Sequence, residues 1–475
     1  MDTATDALQR AIEAVRDDLS QAVAKGRLGR ADADATLSRI ETVSELSRLG
    51  ACELVVEAIV EKLEVKQSLF KELEAIVSSE CILATNTSSL SVTALAAACA
   101  KPERVAGWHF FNPVTRMRVV EVIQAPRTAP AAAQALISLS KRIGHRAVLT
   151  SDSPGFVVNH AGRAFVTEGL KLLAERTADH TVLDGILRTC AGFRMGPLEL
   201  LDLTGLDVSV PVMESIHAQY YGDDRYRPSN LARTRLLAGL LGRKSKRGFY
   251  GYEGKPAATP SPAASAAADD ATSPAVALWW PVDGPAALPP SITALLPLER
   301  RVAEAQDADL VLLAPLDTDL SSAVADLYLD ASKAIAIDPV FGSAGGVTLM
   351  ASPATAAATV DAAQRVFAAR AIPTFVIADS PGYVAPRVVA CIVNLACEMA
   401  QQGIAAPEDI DAAVRLGLGY PSGPFEWGDR LGAERVLRIL KGLHHTFEDP
   451  RYRPSPWLVR RARLSLSLSA PDRLA

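Results

Sequence analysis

Three short motifs in this chain recur in register, and that recurrence limits the folds open to it. Asp152-Ser153-Pro154-Gly155-Phe156-Val157 returns as Asp379-Ser380-Pro381-Gly382-Tyr383-Val384, and Gly192-Phe193-Arg194-Met195-Gly196-Pro197 returns as Gly419-Tyr420-Pro421-Ser422-Gly423-Pro424, both at an offset of 227 residues. Arg225-Tyr226-Arg227-Pro228-Ser229 returns as Arg451-Tyr452-Arg453-Pro454-Ser455 at an offset of 226. Three matches in one register predict a duplicated unit. From about Phe156 to about Gly242 the apolar spacing is that of helices, so the duplicated unit is an all-α domain.

Ahead of the first copy the pattern alternates. A long amphipathic helix over 6–30 carries Leu8, Ile12, Val15, Leu19 and Val23 on one face. Strands follow at Glu53-Leu54-Val55-Val56-Glu57-Ala58-Ile59, Ile82-Leu83-Ala84-Thr85 and Val105-Ala106-Gly107-Trp108, with helices over 65–76 and from Ser91. Strand–helix alternation predicts a doubly wound parallel sheet. Between the two helical copies, Asp309-Leu310-Val311-Leu312-Leu313 and Ala334-Ile335-Ala336-Ile337-Asp338-Pro339 predict strands of a degenerate α/β segment. The resulting domains are 1–150 (Rossmann-like), 151–254 (helical), 255–276 (an Ala, Pro, Ser and Asp linker), 277–378 (degenerate α/β) and 379–475 (second helical copy).

The formal net charge is -5, which offers no electrostatic footprint for nucleic acid. No apolar run approaches membrane-spanning length, and the first residues lack the pattern of a secretory signal. The six cysteines have no CxxC spacing. They predict reduced thiols and a cytoplasmic location, and no metal site is expected.

One string combines chemistry with fold: His109-Phe110-Phe111-Asn112-Pro113, with Glu121 alone in the apolar run Val119-Val120-Glu121-Val122-Ile123. His109 falls at a strand end, where ligands bind in open α/β sheets, and its ordinary pKa suits a general base. A buried Glu121 needs a donor or cation, and pairing with His109 would orient the ring. A lone histidine is more often a satisfied core residue; Glu121 and Asn112-Pro113 reverse that weighting. Ser88, in Asn86-Thr87-Ser88-Ser89, is either a substrate hydrogen-bond donor or part of a helix cap. Asn159 is either a substrate amide or an ordinary first-turn residue.

Together these motifs resemble the L-3-hydroxyacyl-CoA dehydrogenase family over residues 2–254, and again over 379–465 as its helical domain. The resemblance implies that His109 is the catalytic histidine, Glu121 its partner, and Ser88 and Asn159 the contacts to the substrate 3-oxygen. It places Glu61, Lys66, Asn86 and Asn112 around NAD, and Asp2 at the adenosine ribose. Lys244-Ser245-Lys246-Arg247-Gly248-Phe249-Tyr250 resembles the segment closing the family's helical domain. The position after Asn159 is usually arginine; here it is His160, which leaves the local ion pairing open.

The family opens with strand, Gly-x-Gly-x-x-Gly and helix, and no such turn occurs in this chain. Lys25-Gly26-Arg27-Leu28-Gly29-Arg30 follows a helix and lacks the spacing. The sheet is therefore expected to be Rossmann-like but N-terminally truncated by about one βαβ unit's worth, roughly thirty residues, with weak dinucleotide binding. In the second copy Pro386 falls where Asn159 stands and Ile335 where His109 stands, so only the first copy is expected to carry chemistry.

The implied reaction is NAD-dependent oxidation of (3S)-3-hydroxyacyl-CoA to 3-oxoacyl-CoA. Length and doubled helical domain resemble the bacterial type that acts on 3-hydroxyadipyl-CoA in phenylacetate degradation, with shorter-chain β-oxidation enzymes as close rivals. The alternative from another class is a non-catalytic scaffold for acyl-CoA or protein. A CoA-independent hydroxyacid dehydrogenase would need a lysine where Asn159 stands. The expected assembly is a homodimer or an internal pseudo-dimer in which the second helical copy packs on the first.

Overall fold

The computed structural model describes residues 1–253 and 276–472; the expected linker over 255–276 lies outside them, apart from its last residue. The chain divides into two compact units, Met1–His109 with Val122–Arg142, and Phe110–Glu121 with Ile143–Ala475.

The first unit opens with α1 (Thr5–Ala24) and α2 (Arg30–Ser38). The expected single helix over 6–30 stops at Ala24. Gly26 takes φ 65°, and the amides of Gly26 and Arg27 turn back onto the carbonyls of Val23 and Ala22, a Schellman ending that satisfies the last carbonyls. Then come β1 (Leu54–Glu57), α3 (Leu63–Ile76), β2 (Ile82–Thr85), α4 (Val92–Ala96), β3 (Val105–Phe110), β4 (Val119–Gln124), α5 (Pro130–Arg142) and β5 (Arg146–Ser151). The sheet order is β1-β2-β3-β4-β5, and β1, β2 and β3 run parallel. Phe70 and Leu73 of α3 and Leu83 and Ala84 of β2 are buried, as expected where helices cover a parallel sheet. Gly107 is required by close approach: a Cβ there would sit 2.6 Å from Ile123 Cδ1.

In the second unit, α6 (Val158–Ala161), α7 (Arg163–Ala174), α8 (His180–Thr189), α9 (Pro197–Thr204), α10 (Leu206–Gln219) and α11 (Asn230–Leu237) form the first helical copy. A second sheet follows, made of β6 (Leu278–Trp279), β7 (Leu310–Leu313), β8 (Ala334–Ile337), β9 (Val347–Ala351) and β10 (Thr374–Ala378). Its helices are α12 (Pro290–Thr293), α13 (Leu320–Asp326) and α14 (Ala357–Ala368). The sequence had predicted two of these five strands. Their order, β10-β9-β8-β7-β6, repeats that of the first sheet. Both faces are covered: Leu310, Leu312, Ile335 and Ile337 join one core, while Val311, Leu313, Ala334 and Ala336 join another. This period of two with every position apolar is the mark of a doubly buried strand. The second helical copy is α15 (Ala385–Gln401), α16 (Pro407–Gly417), α17 (Pro424–Leu431), α18 (Ala433–Phe447) and α19 (Pro456–Arg463).

The two helical copies share one hydrophobic core, and their polar contacts are reciprocal. Arg453 pairs with Asp223 at 2.6 Å, and Arg227 with Asp449 at 3.4 Å. Arg225 donates to the Arg453 carbonyl and Arg451 to the Arg227 carbonyl. The amide of Ser151, ending β5, bonds the Ile404 carbonyl at 2.9 Å, and that of Ala378, ending β10, bonds the Thr177 carbonyl at 2.8 Å. Phe193 and its counterpart Tyr420 meet edge-on, ring centroids 5.2 Å apart. The copies are thus related by an internal pseudo-two-fold. No helix of the described residues is long and apolar enough to cross a membrane.

Candidate active site

In the first unit the site is organised by three charges beyond β1 and β2, of which Glu57 and Lys66 are buried and Glu61 is exposed. Glu57, at the end of β1, is buried and takes the Lys66 ammonium at 2.6 Å and the Thr85 hydroxyl at 2.7 Å. Lys66 also reaches Glu61 at 3.2 Å. Glu61 Oε1 in turn accepts from the Thr87 hydroxyl at 2.5 Å, the amides of Ser88 and Ser89 at 3.0 and 3.2 Å, and the Ser89 hydroxyl at 3.0 Å. Burial pushes the Glu61 carboxyl up, but the Thr87 hydrogen bond and the Lys66 cation outweigh it and hold it below its usual value. This chain Glu57–Lys66–Glu61 clamps the loop after β2. Lys66, expected to line the cofactor site, has a side chain only 1% exposed and pairs with Glu57 and Glu61, so it also holds the loop after β2.

The clamp leaves Ser88 exposed, and among the described residues its hydroxyl makes no hydrogen bond. The helix-cap alternative belongs to a neighbour: Ser91 caps α4 by accepting from the Ala94 amide at 3.2 Å. Asn86 follows β2, its amide bonded to the Glu57 carbonyl at 2.8 Å. His109 is buried, one residue from the end of β3. Asp2 is exposed, and its carboxylate accepts the Ala4 amide at 2.9 Å.

In the second unit Glu121 is 0% exposed, and its Oε1 accepts the amides of Val157 and Val158 at 2.9 and 2.8 Å. A carboxylate is stable there because charge-assisted bonds replace its water. Neither partner is marked by any sequence pattern around Glu121. They lie where Gly155 and Phe156 both take positive φ, 79° and 48°. For a bulky residue such as Phe156 that conformation is strained, and here it points two successive amides at one oxygen. Asn159 follows directly, partly exposed in α6; its side-chain amide has no partner among the described residues. Asn112 is exposed and precedes a cis peptide bond to Pro113.

His160 is fully buried, and burial first, then the cations Arg163 and Arg225, push its ionisation down to about 3. It is therefore neutral and bonds the Tyr226 hydroxyl at 3.0 Å. Arginine occurs instead at the equivalent position of the second copy, Arg387.

The second copy lacks the chemistry. Ile335 is a core residue of β8 and Pro386 is buried in α15. A groove of about 620 Å³ does open beyond β6 and β7, lined by Pro285, Pro315, Asp317 and His445. Yet the first amides of α13 are taken by carboxylates: Asp379 binds those of Leu320 and Ser321, and Asp319 that of Ser322. A helix end so filled has no donors left for a phosphate.

The model of the 3-hydroxyacyl-CoA dehydrogenase NAD-binding domain matches residues 1–153, and that of the family's C-terminal domain matches 155–252 and 382–466. The chain belongs to the 3-hydroxyacyl-CoA dehydrogenase family. Among relatives, the 3-hydroxyadipyl-CoA dehydrogenase of Escherichia coli is 35% identical over 463 residues, which is 98% of this chain and 92% of that one. A probable 3-hydroxybutyryl-CoA dehydrogenase of Deinococcus radiodurans is 43% identical over 228 residues, 48% of this chain and 81% of its own. The crystal structure of a 3-hydroxybutyryl-CoA dehydrogenase from Escherichia coli K12 superposes with a TM-score of 0.84 at 34% identity, covering 98% of this chain and 92% of that one.

The dehydrogenases of this family use NAD, and this chain is an NAD-dependent 3-hydroxyacyl-CoA dehydrogenase. The residues present fit the nicotinamide end of that cofactor: Glu61, Asn86 and His109 stand at or beyond the carboxyl ends of β1, β2 and β3, where dinucleotides lie in parallel sheets. β1 itself enters α3 through Ala58-Ile59-Val60-Glu61-Lys62, without a glycine turn.

Proposed function

We propose that His109 takes the hydroxyl proton of a (3S)-3-hydroxyacyl-CoA, while the Ser88 hydroxyl and the Asn159 amide donate hydrogen bonds to the 3-oxygen. Asn86 and Asn112 would flank the nicotinamide and Asp2 the ribose of NAD, which when bound would supply the acceptor for the C3 hydride. Glu121 acts in two ways: it orients the imidazole of His109, and it holds the turn that presents Asn159. The substrate is a 3-hydroxyadipyl-CoA or a shorter 3-hydroxyacyl-CoA of phenylacetate or fatty-acid degradation. The six free cysteines fit work in the reducing cytoplasm.

The Glu121 carboxylate carries this reading. A purely structural strand would place an apolar residue there, as its neighbours Val120 and Val122 are. Instead a charge is buried at the foot of a strained turn that ends in an unpartnered amide. The test is oxidation of NADH with acetoacetyl-CoA, followed by loss of NADH absorbance. Wild type should turn over, and His109→Ala should lose about 10²–10⁴-fold in kcat. An inert wild type, or a His109→Ala variant of unchanged rate, would overturn the assignment.

A further inference from the structure

One arginine in the second unit has no counter-ion. Arg163 opens α7, one turn beyond Asn159, and its Nε donates to the Asn159 backbone carbonyl at 2.7 Å. Other enclosed arginines nearby are paired: Arg387 with Glu168 and Glu175, Arg225 with Glu398. Among the described residues no carboxylate comes within ion-pair distance of Arg163, and its two Nη groups make no hydrogen bond. The residue is of intermediate exposure, and the guanidinium is enclosed enough that burial pushes its ionisation down to about 10. Tyr420 lies near enough to feel that charge, and its own hydroxyl is buried without a partner. Leaving a desolvated cation and a buried hydroxyl unpaired is unfavourable.

The repeat shows that packing does not require this arginine. By the offset of 227, Arg163 corresponds to Ala390, which is buried and apolar, just as Asn159 corresponds to Pro386. The guanidinium therefore occurs only in the copy that carries Asn159.

We infer that Arg163, with the Tyr420 hydroxyl beside it, binds a carboxylate at the far end of the substrate's acyl chain and so selects dicarboxylyl-CoA thioesters. The inference rests on Asn159 binding the 3-oxygen. Residues four apart on a helix have their Cβ atoms about 5–6 Å apart, and Gly162 between them keeps helical angles, φ -68° and ψ -13°. From C3 to the terminal carboxyl of a six-carbon diacid are three C–C bonds of about 1.5 Å, an extended reach of about 4 Å. With C3 at Asn159, the distal carboxylate falls within reach of the Arg163 fork, which suits bidentate recognition. A four-carbon acyl chain ends short of it.

The experiment compares 3-hydroxyadipyl-CoA with 3-hydroxyhexanoyl-CoA, equal in carbon count but ending in a methyl group, for wild type, Arg163→Met, Arg163→Lys and Tyr420→Phe. Wild type should favour the diacid. Arg163→Met should lower kcat/KM for the diacid by about 10- to 100-fold and leave the hexanoyl substrate within about twofold. Arg163→Lys, which keeps the charge and loses the fork, should fall between, and also serves if the Met variant fails to fold. Tyr420→Phe should weaken only the diacid. Loss on both substrates alike would assign Arg163 to holding the Asn159 carbonyl and overturn the inference. So would a wild type that oxidises the hexanoyl substrate as well as the diacid, with the dehydrogenase assignment intact. A wild type inert toward both would bring down that assignment and this inference together.

Discussion

Replacing Arg387 with methionine should destabilise the second unit by stranding a buried carboxylate. Arg387 is 0% exposed, and its Nε reaches Glu168, itself 1% exposed, at 2.5 Å. Its Nη groups bond Glu175 at 2.8 and 3.2 Å and the Tyr452 hydroxyl at 2.7 Å. Glu175 is 24% exposed and keeps Lys171 at 3.1 Å, so its loss is close to that of a surface pair, about 0–1 kcal/mol. Glu168 cannot rehydrate. Its remaining partners are the Tyr452 hydroxyl at 2.8 Å and Arg451 at 4.0 Å. Stranding a buried partner costs about 3–5 kcal/mol, and Arg387→Met should show that loss in equilibrium urea unfolding. Trp427, 1% exposed in the shared core, supplies the fluorescence signal. The double variant Glu168→Leu/Arg387→Met removes both charges, and leucine is what the second copy carries at the equivalent Leu395. It should recover most of the loss, giving a coupling of at least about 2 kcal/mol. An Arg387→Met variant within about 1 kcal/mol of wild type, or a double variant whose cost is the sum of the singles, would refute this account.

Glu121→Ala orphans two buried amides at about 1–3 kcal/mol each, so both thermal stability and kcat should fall; an unchanged melting temperature would contradict the capping role. Gly423→Ala would place a Cβ 2.1 Å from Asp411 Cγ, and such overpacking costs about 1–3 kcal/mol; Gly251→Ala, with nothing within 4 Å, is the control, and equal stabilities would refute the clash. Burial pushes the Asp184 carboxyl up to about 6 from an ordinary 3.8, against hydrogen bonds from Tyr250, Leu198 and Glu199. Between those values the folded chain binds more protons than the unfolded one, so this group's stabilisation is complete below pH 3.8 and is lost as pH rises through about 6. Melting curves of Asp184→Asn against wild type should therefore diverge in the variant's favour across that window; a constant difference would sink the assignment.

The sequence carried those features whose cause is local or repeated. Gly196-Pro197 and Gly423-Pro424 were visible as a repeat because each glycine makes room for a capping carboxylate, Asp184 or Asp411, that binds the next helix's amides. The strands ending in Thr85 and Phe110 stood out as apolar runs between helices. Three things were hidden. Lys66 and Glu57 lie nine residues apart, and nothing in that spacing shows that the lysine turns inward. Glu121 was recognisable as a misplaced charge, but its amide partners lie 36 and 37 residues on. β9 and β10 were missed because five-residue runs such as Val347–Ala351 are indistinguishable by period from short helical segments.

The reciprocal contacts between Asp223 and Arg453 and between Asp449 and Arg227 have the layout of an interface between two identical subunits, but both sides are written into one chain. Association by covalent linkage does not weaken on dilution, since the effective concentration of one half for the other is fixed. It also frees each half to change alone. In a symmetric pair every substitution appears twice. Here His160 faces tyrosines on one side while Arg387 holds two glutamates on the other, and Ala390 stands where Arg163 would be mirrored. One half can keep the Asn159 amide without a partner among the described residues and Arg163 without a counter-ion, because the other half fills those two places with Pro386 and Ala390.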